Sequence, residues 1–261
     1  MGGTDDADRE LLIAEKGHIR LLTMNRPQRS NAMTYAMREQ LIDAFLDADA
    51  DPEVRVIVIT GMGDRAFCSG SDLNEAPRND RGLGPMSTSE RLVYEVVSEV
   101  GKPVIAALNG SAVAGGLELA LACDILLAVD TARLGFPEAK VGMGALFGSV
   151  VLPRTIPPSI AYELLFTGRL CTAKEAERWG LVGRLVPPGA VLSAALELAE
   201  TIAANAPLST RRIKEMARKS FGLPLSAALR LNVGPNPYAS EDRIEGAKAY
   251  LEKRKPVWKG R

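Results

Sequence analysis

The sequence predicts an α/β fold in which short buried strands are followed by helices. Two runs carry the prediction: VRVIVIT at 54–60 is rich in β-branched residues, and PVIAAL at 103–108 is apolar, as expected of buried strands. A third observation is the segment 34–49, where Met37, Leu41 and Phe45 recur at helical spacing. The succession of strand, strand and helix therefore gives an α/β class.

The predicted elements follow one another as a single unit with a helical end. The expected strands, all short and apolar, are 11–14, 19–24, 54–60, 103–108 and 125–129. From Thr172 the chain is mostly helical, with a double-proline break before a helix at 190–205. We expect a flexible tail at 1–8, a core with the active site at 9–190 and a C-terminal helical region at 191–261.

Composition is that of an ordinary globular enzyme. The 261 residues are 46% hydrophobic and 25% charged, enough for one large domain with a sizeable core. Thirty-two basic residues balance thirty-two acidic ones, so no net charge draws the chain to nucleic acid or to a membrane surface. No apolar run approaches the ~20 residues of a membrane span, and the polar start MGGTDDADRE does not resemble a signal peptide. We expect a cytoplasmic protein.

The cysteines and the single histidine do not suggest a metal centre. Cys68, Cys123 and Cys171 lack paired spacing, and His18 lies in a charged turn between two early strands. Cys68 lies beside a glycine loop, so a nucleophilic thiol is one hypothesis, but no histidine is near it in the motifs to activate it. A small packed thiol is the favoured interpretation.

The most informative motif is NGSAVAGGLELALACD at 109–124, where adjacent glycines precede an apolar helical run with one isolated acid. A helix starting near Gly115 leaves its first backbone N–H groups without intrahelical acceptors, so this turn can hold an oxyanion. Glu118 would lie one turn inside that pocket. The alternative is that Gly115 and Gly116 allow only tight packing and that Glu118 faces water.

A second glycine loop, GMGDRAFCSGSDL at 61–73, follows the predicted strand 54–60. Two strand ends therefore present two backbone amides, and we expect the N–H groups of Ser71 and Gly115 to point at one carbonyl oxygen. Asp72 and Asp124 could act as further acids, but a loop cap or a salt link is the favoured role for each, with Asp72 anchoring a helix start at Leu73.

Three segments carry a resemblance to a known family: AFCSGSDL at 66–73, NGSAVAGGLELALACDI at 109–125 and FPEAKVGMG at 136–144. In residue identity, order and spacing they resemble motifs of the crotonase (enoyl-CoA hydratase/isomerase) superfamily. The similarity extends to NRPQRSNAM at 25–33 and to the segments 164–187 and 240–261. It implies a spiral of ββα units with a C-terminal helical trimerisation region, and hence a homo-trimer or a dimer of trimers.

The resemblance also implies a reaction. An acyl-CoA thioester would lie between the amides of Ser71 and Gly115, which stabilise an enolate. Members that hydrate a double bond carry two acids, and this chain has glutamate at both positions: Glu118 as the base acting on water and Glu138 as the acid. No cofactor is expected, because coenzyme A is part of the substrate. The alternative for Glu138 is that Pro137 starts a helix whose dipole Glu138 only complements.

Binding residues follow from the same resemblance. The expected contacts with the substrate are Arg26, Ala66, Ser69, Asp72, Leu73 and Leu146. Lys253, Arg254 and Lys255 could meet the phosphates of coenzyme A, although a solvated basic end is an equal alternative. Leu146 and Phe147 stand where relatives often have glycine, and they either line the acyl channel or pack into the core.

Two other functions remain open at this point. A Δ3,Δ2-enoyl-CoA isomerase of the same fold generally needs only the acid at Glu138, so Glu118 argues against it. A non-catalytic family member that binds acyl-CoA or RNA is a different class. The neutral charge balance and the intact pair of acids disfavour it, so we expect no nucleic-acid partner.

Overall fold

A computed structural model describes residues 9–75 and 91–261. The predicted flexible tail at 1–8 lies outside these residues. The described strands are β1 Leu11–Lys16, β2 Ile19–Met24, β3 Val56–Gly61, β4 Ala66–Cys68, β5 Val104–Leu108, β6 Ser111–Val113, β7 Ile125–Val129, β8 Arg133–Gly135, β9 Leu170–Thr172 and β10 Arg184–Val186. The described α-helices are α1 Tyr35–Ala50, α2 Val93–Glu99, α3 Gly115–Ala122, α4 Leu146–Thr155, α5 Pro158–Thr167, α6 Ala173–Arg178, α7 Val191–Ala203, α8 Pro207–Lys219, α9 Leu225–Ala228 and α10 Glu241–Leu251.

The larger sheet has the order β1-β2-β3-β5-β7-β10. β1 and β2 form an antiparallel hairpin, and the other described pairs in this sheet are parallel. Every residue of β3 and β5 is buried, which explains their unbroken apolar sequences. α1 begins where its sequence predicts, because the Thr34 side chain accepts a hydrogen bond from the Met37 amide at 2.9 Å. The predicted α/β class is confirmed.

A smaller sheet, β4-β6-β8-β9, supplies the site. β4, β6 and β8 are parallel strands of three residues each, and they run in one direction. Since the carboxyl ends of parallel strands lie at one edge of a sheet, the segments that follow them are brought together. Those segments begin at Ser69, Ala114 and Phe136, so the two glycine loops and Glu138 meet there.

The C-terminal helices attach to the larger sheet in different ways. α7 buries Ala195 and Ala199 and packs against β3 and β5. α8 is held by a buried ion pair between Lys214 and Asp124, 2.7 Å apart, which is the salt link expected for Asp124. No helix within 9–75 and 91–261 is both long and apolar enough to cross a membrane. The division at residue 190 and the cytoplasmic location remain predictions.

Candidate active site

Two asparagines, Asn31, which is buried, and Asn109, which is half-buried, hold the loop that leads to Ser71. The Asn31 side-chain amide donates to the carbonyl oxygens of Met62 and Ala66, at 3.0 and 2.8 Å. The Asn109 amide donates to Gly63 and Ala66, at 2.8 and 3.1 Å. The carbonyl of Ala66 is therefore occupied by two donors, and the loop is fixed from both sides.

A short parallel bridge orients the amide of Ser71. Met33 donates its N–H to the Gly70 carbonyl at 2.7 Å, and Asp72 donates to the Met33 carbonyl at 2.9 Å. Successive peptide groups of an extended segment point to opposite sides, so the N–H of Ser71 points away from Met33. It is directed to the side of the loop where another acceptor can approach.

The amide of Gly115 is exposed by an unusual turn. Ala114 has φ 53° and ψ −131°, a conformation that costs energy for any residue with a Cβ and that clusters at functional sites. The first bonds of α3 are those from Leu117 and Glu118 to the Ala114 carbonyl, at 2.8 and 3.0 Å. The N–H of Gly115 precedes them, so it has no intrahelical acceptor and lies at the positive end of the helix dipole.

Glycines bring the two loops into contact. A Cβ on Gly70, whose φ is +96°, would lie 3.0 Å from the Ala114 Cβ and 3.1 Å from the Gly115 nitrogen. A Cβ on Gly116 would lie 2.1 Å from the Cys68 carbonyl oxygen. Only glycine permits these approaches. The candidate donors Ser71 and Gly115 are consequently neighbours at one pocket.

Glu118 lies in this pocket and does not face water, since its exposed fraction is 6%. Its Oε1 accepts the N–H of Gly148 at 2.9 Å, and the carboxylate also accepts the amide of Phe147 and the hydroxyl of Tyr94. Phe147 and Gly148 are in the first turn of α4, so its dipole favours the ionised carboxylate. Burial nevertheless dominates and raises the pKa of Glu118 above its ordinary value.

Glu138 occupies a 3-10 turn, Pro137–Val141, directly after β8. It is 8% exposed, its own backbone N–H binds the carboxylate, and its buried Oε2 has no hydrogen-bond partner. Burial is the main cause that raises the pKa of Glu138, and the negative charge of Glu118 raises it further. Both glutamates are therefore brought to one buried site, as the motifs predict.

Arg26 and Asp72 bind one another. Arg26 donates to Asp72 at 2.9 Å, to Glu10 at 3.0 Å and to the Ala32 carbonyl at 2.6 Å. Asp72 accepts the amide of Asn74, and this bond, followed by that to Arg26, holds the pKa of the carboxyl below its usual range. Both side chains thus stiffen the Ser71 loop, and Asp72 starts a turn at Leu73, where a helix was expected.

The other predicted contacts differ in exposure. Ser69 and Leu73 are exposed, Leu73 by 62%, and they border the pocket as a ligand surface would. Leu146 is half-buried at the start of α4, whereas Phe147 packs against the hydrophobic core and places its ring 5.7 Å from that of Tyr94. Phe147 therefore has a packing role, and the expected contact of Leu146 with a ligand remains a prediction.

The basic tail lies at the opposite end of the larger sheet from these loops. Arg55, which precedes β3, donates to the Trp258 carbonyl at 3.1 Å, whereas the Ser71 loop follows the end of β3. Arg254 is also bound, since it makes a bidentate pair with Glu245 at 2.6 and 2.9 Å. The expected contact of this tail with the phosphates of coenzyme A therefore remains a prediction.

Burial decides the role of Cys68. It raises the pKa of the thiol to about 11, so the group is protonated at neutral pH and has the character of a packed side chain. His18 is at the surface, where its ring binds the Glu53 carbonyl at 2.8 Å. Among residues 9–75 and 91–261, no three His, Cys, Asp or Glu side chains group as metal ligands would.

Two residues at the site were not predicted from the sequence. Tyr94 donates to Glu118 from α2, and Arg38 donates to the Ser71 hydroxyl from α1 at 2.6 Å. Tyr94 lies in an apolar run, and Arg38 in a helix with several other charges, so neither stands out in the sequence. Their roles depend on how α1 and α2 pack around the two loops.

Tyr94→Phe is expected to shift the pH dependence of any reaction in which Glu118 acts as a base. The hydroxyl lowers the pKa of Glu118, so its removal raises that pKa, and the carboxylate ionises only at higher pH. The acidic limb of kcat/KM against pH should move upward, with kcat at its plateau reduced only several-fold. An unchanged acidic limb would show that the hydroxyl does not tune the base.

Comparisons with known proteins identify the family and the fold. The family model described as enoyl-CoA hydratase/isomerase matches residues 14–261. The chain is 40% identical to a carnitinyl-CoA dehydratase of Citrobacter koseri, over 96% of this chain and 98% of that one. Enoyl-CoA hydratase structures from Mycobacterium tuberculosis and Bacillus anthracis superpose with TM-scores of 0.87 and 0.88, at 36% and 32% identity. They cover 97% of this chain and 99% and 100% of their own. The chain therefore belongs to the enoyl-CoA hydratase/isomerase (crotonase) family.

Proposed function

We propose that this protein is an enoyl-CoA hydratase, which adds water to trans-2-enoyl-CoA to give 3-hydroxyacyl-CoA. The observation that carries the proposal is the presence of two buried glutamates, Glu118 and Glu138, beside the backbone amides of Ser71 and Gly115, which have no hydrogen-bond acceptor among residues 9–75 and 91–261. Family membership supports an acyl-CoA thioester as the substrate. Two acids suit hydration, because one proton must leave water while another is delivered to carbon.

The proposed reaction assigns one task to each group. The thioester oxygen accepts the amides of Ser71 and Gly115, whose dipoles stabilise the enolate that forms as charge moves onto that oxygen. Ionised Glu118 takes a proton from water while the water oxygen bonds to C3. Protonated Glu138 delivers its proton to C2, so water adds across the double bond and the carbon skeleton is otherwise unchanged.

The protonation states that this reaction needs are consistent with the surroundings of the two acids. Glu118 accepts two α4 amides and a phenol hydroxyl, all of which stabilise its charge. Glu138 has a buried oxygen without a donor, and a neighbouring negative charge that opposes its ionisation. Environments of this kind separate the pKa values of the coupled pair Glu118 and Glu138, so that Glu138 has the higher pKa and holds the proton.

Dehydration of a 3-hydroxyacyl-CoA is a second candidate, favoured by the 40% identity to carnitinyl-CoA dehydratase. It is the reverse of hydration and would use the same two acids. The carnitinyl group carries a fixed positive charge, and the cation Arg38 donates a hydrogen bond to the Ser71 hydroxyl at 2.6 Å. Like charges repel in a pocket of low dielectric, so we favour an uncharged or anionic acyl group.

The test is an assay of crotonyl-CoA and longer trans-2-enoyl-CoA substrates with a chelator present. We expect loss of the enoyl absorbance and formation of the 3-hydroxyacyl product at one or more chain lengths. Conversion of 3-enoyl-CoA to 2-enoyl-CoA without any hydration would instead identify an isomerase. Binding of acyl-CoA with neither reaction would identify a non-catalytic family member.

Leu146→Ala is expected to change the preferred chain length. Leu146 is half-buried and is absent from the residues that pack on the core, so we assign it to the wall of the acyl channel. Removing its side chain should change the ratio of kcat/KM between short and long enoyl-CoA substrates by roughly 10-fold, as expected for a reshaped apolar pocket.

Leu152→Ala, in the same helix, provides the matched control. Leu152 has no exposed surface, so its truncation should lower the free energy of unfolding by about 2–5 kcal/mol and leave the substrate ratio unchanged. If Leu146→Ala behaved in the same way, Leu146 would be a core residue and the specificity proposal would be wrong.

We also propose that the chain assembles as a homo-trimer or a dimer of trimers. The C-terminal helices expose several large apolar side chains, more than isolated surface positions would explain. These side chains, all at least 68% exposed, are Ile213, Phe221, Leu225, Leu229, Ile244, Tyr250 and Leu251. Sedimentation velocity at micromolar concentration should give a mass of three or six chains, and a monomer would refute the assembly.

A further inference from the structure

Arg38 is a cation at the site that forms no ion pair with any carboxylate of the described residues. It projects from the first turn of α1, where its Nη2 donates to the Ser71 hydroxyl at 2.6 Å. Within residues 9–75 and 91–261 it makes no ion pair, and its buried Nε has no hydrogen-bond partner. An unsatisfied buried donor is costly, and in a native protein it calls for an explanation.

The charge of Arg38 reaches the reacting end of the pocket. Its positive charge acts to lower the pKa values of Glu118, Tyr94 and Cys68, whereas burial raises all three. The ring of Tyr35, 5.6 Å from the guanidinium carbon, supports one face of the group. The side chain is thus held in place, and its buried Nε–H has no hydrogen-bond partner.

Arg26, near the same loop, provides a comparison. Its guanidinium N–H groups donate to Asp72, Glu10 and the Ala32 carbonyl, and the two carboxylates balance its charge. Within residues 9–75 and 91–261, the hydrogen-bond acceptor of Arg38 is a neutral hydroxyl. The difference indicates that the guanidinium of Arg38 can take a carboxylate ligand in addition.

We propose that Arg38 selects an acyl group that carries a carboxylate, so that the preferred substrate is the monothioester of an unsaturated dicarboxylic acid. The planar guanidinium presents paired N–H groups that match a carboxylate in bidentate geometry. A substrate carboxylate also satisfies the buried donor and neutralises the charge. The assignment rests on the proposed function for the location of the thioester, and it deepens that function by naming the class of acyl group.

The experiment compares matched pairs of ligands that differ only at the far end of the acyl chain. Calorimetry measures Kd for hexanoyl-CoA and for adipyl-CoA, whose terminal methyl is replaced by carboxylate, and the pairs of four and eight carbons are measured in the same way. For at least one length we expect the carboxylate ligand to bind about 10- to 100-fold more tightly to the wild-type protein, as for a charged hydrogen-bonded pair. Hydration of the corresponding trans-2-enoyl-CoA substrates is measured alongside.

Arg38→Met should abolish this preference and leave binding of the uncharged ligand unchanged or tighter. Arg38→Lys keeps the positive charge but lacks the paired N–H groups of the guanidinium, so it should retain part of the preference for the carboxylate ligand. It also provides a second variant if Arg38→Met does not fold. Arg178→Met, an exposed change on α6, removes one positive charge elsewhere and should have no effect on the preference.

Three outcomes would overturn the proposal: no preference at any length, a preference that persists in Arg38→Met, or an equal loss of kcat on both members of each pair. The last would assign Arg38 to the enolate and not to the acyl group. A carboxylate preference that depends on Arg38 in a protein with no hydratase activity would support the binding role and refute the proposed reaction. The experiment therefore distinguishes failure of the assignment of Arg38 from failure of the proposed hydratase reaction.

Discussion

Glu118→Gln and Glu138→Gln are each expected to lower kcat by about 10²-fold or more, with acyl-CoA binding retained. Glutamine keeps the shape of the side chain but can neither take the proton from water nor deliver one to C2. Neither side chain is assigned to the nucleotide, so Kd for a saturated acyl-CoA should change little. The measurements are steady-state hydration of the best enoyl-CoA and calorimetric binding of its saturated analogue.

Folding stability provides a control for these two variants. Folding raises the pKa of both carboxyls, so each group favours the native state most at low pH. That contribution is lost as the pH rises through the raised native pKa. At pH 8 Glu118→Gln removes the buried charge of the proposed base, so the thermal midpoint of this variant should be no lower than that of the wild type.

Glu177→Gln, at an exposed position of α6, should leave both activity and stability unchanged. Near-normal hydration by either site variant would show that the residue does not carry the assigned proton transfer. Loss of hydration in Glu118→Gln with retained movement of a 3-enoyl double bond would point to chemistry that needs Glu138 alone.

Gly70→Ala is expected to lower kcat by about 10²- to 10³-fold, the usual effect of removing one oxyanion donor. The new methyl would lie 3.1 Å from the Gly115 nitrogen and 3.0 Å from the Ala114 Cβ, so the two loops must shift apart by a few tenths of an ångström. Such a shift lengthens and misaligns the hydrogen bonds from the amides of Ser71 and Gly115 to a single oxygen. The measurement is kcat on the best enoyl-CoA, with circular dichroism to establish that the variant is folded.

Gly189→Ala separates this effect from backbone strain. Gly189 has φ +83°, close to the +96° of Gly70, but a Cβ there meets nothing within 4 Å. Both variants should lose about 1–2 kcal/mol of unfolding free energy, because L residues are strained in this region. Only Gly70→Ala should lose turnover, and equal turnover in the two variants would contradict the assigned oxyanion pocket.

Individual positions show how far the sequence could predict the site. The strand 54–60 and the helix 34–49 differ from the observed β3 and α1 by no more than two residues at either end, because burial and helical spacing depend on local sequence. The three-residue strands β4, β6 and β8 were not predicted, since so short a run carries no periodicity. Arg26 was expected to meet the ligand, but it is bound by Asp72, which is 46 residues away along the chain.

The sequence by itself determined the family and the α/β class, and it identified Glu118 and Glu138 as candidate site residues. Glycine turns, apolar runs and an acid inside an apolar helix are local patterns, so they can be recognised without the structure. Only the tertiary structure decided what surrounds those acids. Tyr94 and the amides of Phe147 and Gly148 reach Glu118 from α2 and α4, whereas Arg38 reaches Ser71 from α1. Their distances depend on the packing of helices against two sheets, and no local pattern encodes that packing. The pKa of a buried carboxyl follows from those neighbours and from its burial, and both exist only once the chain has folded.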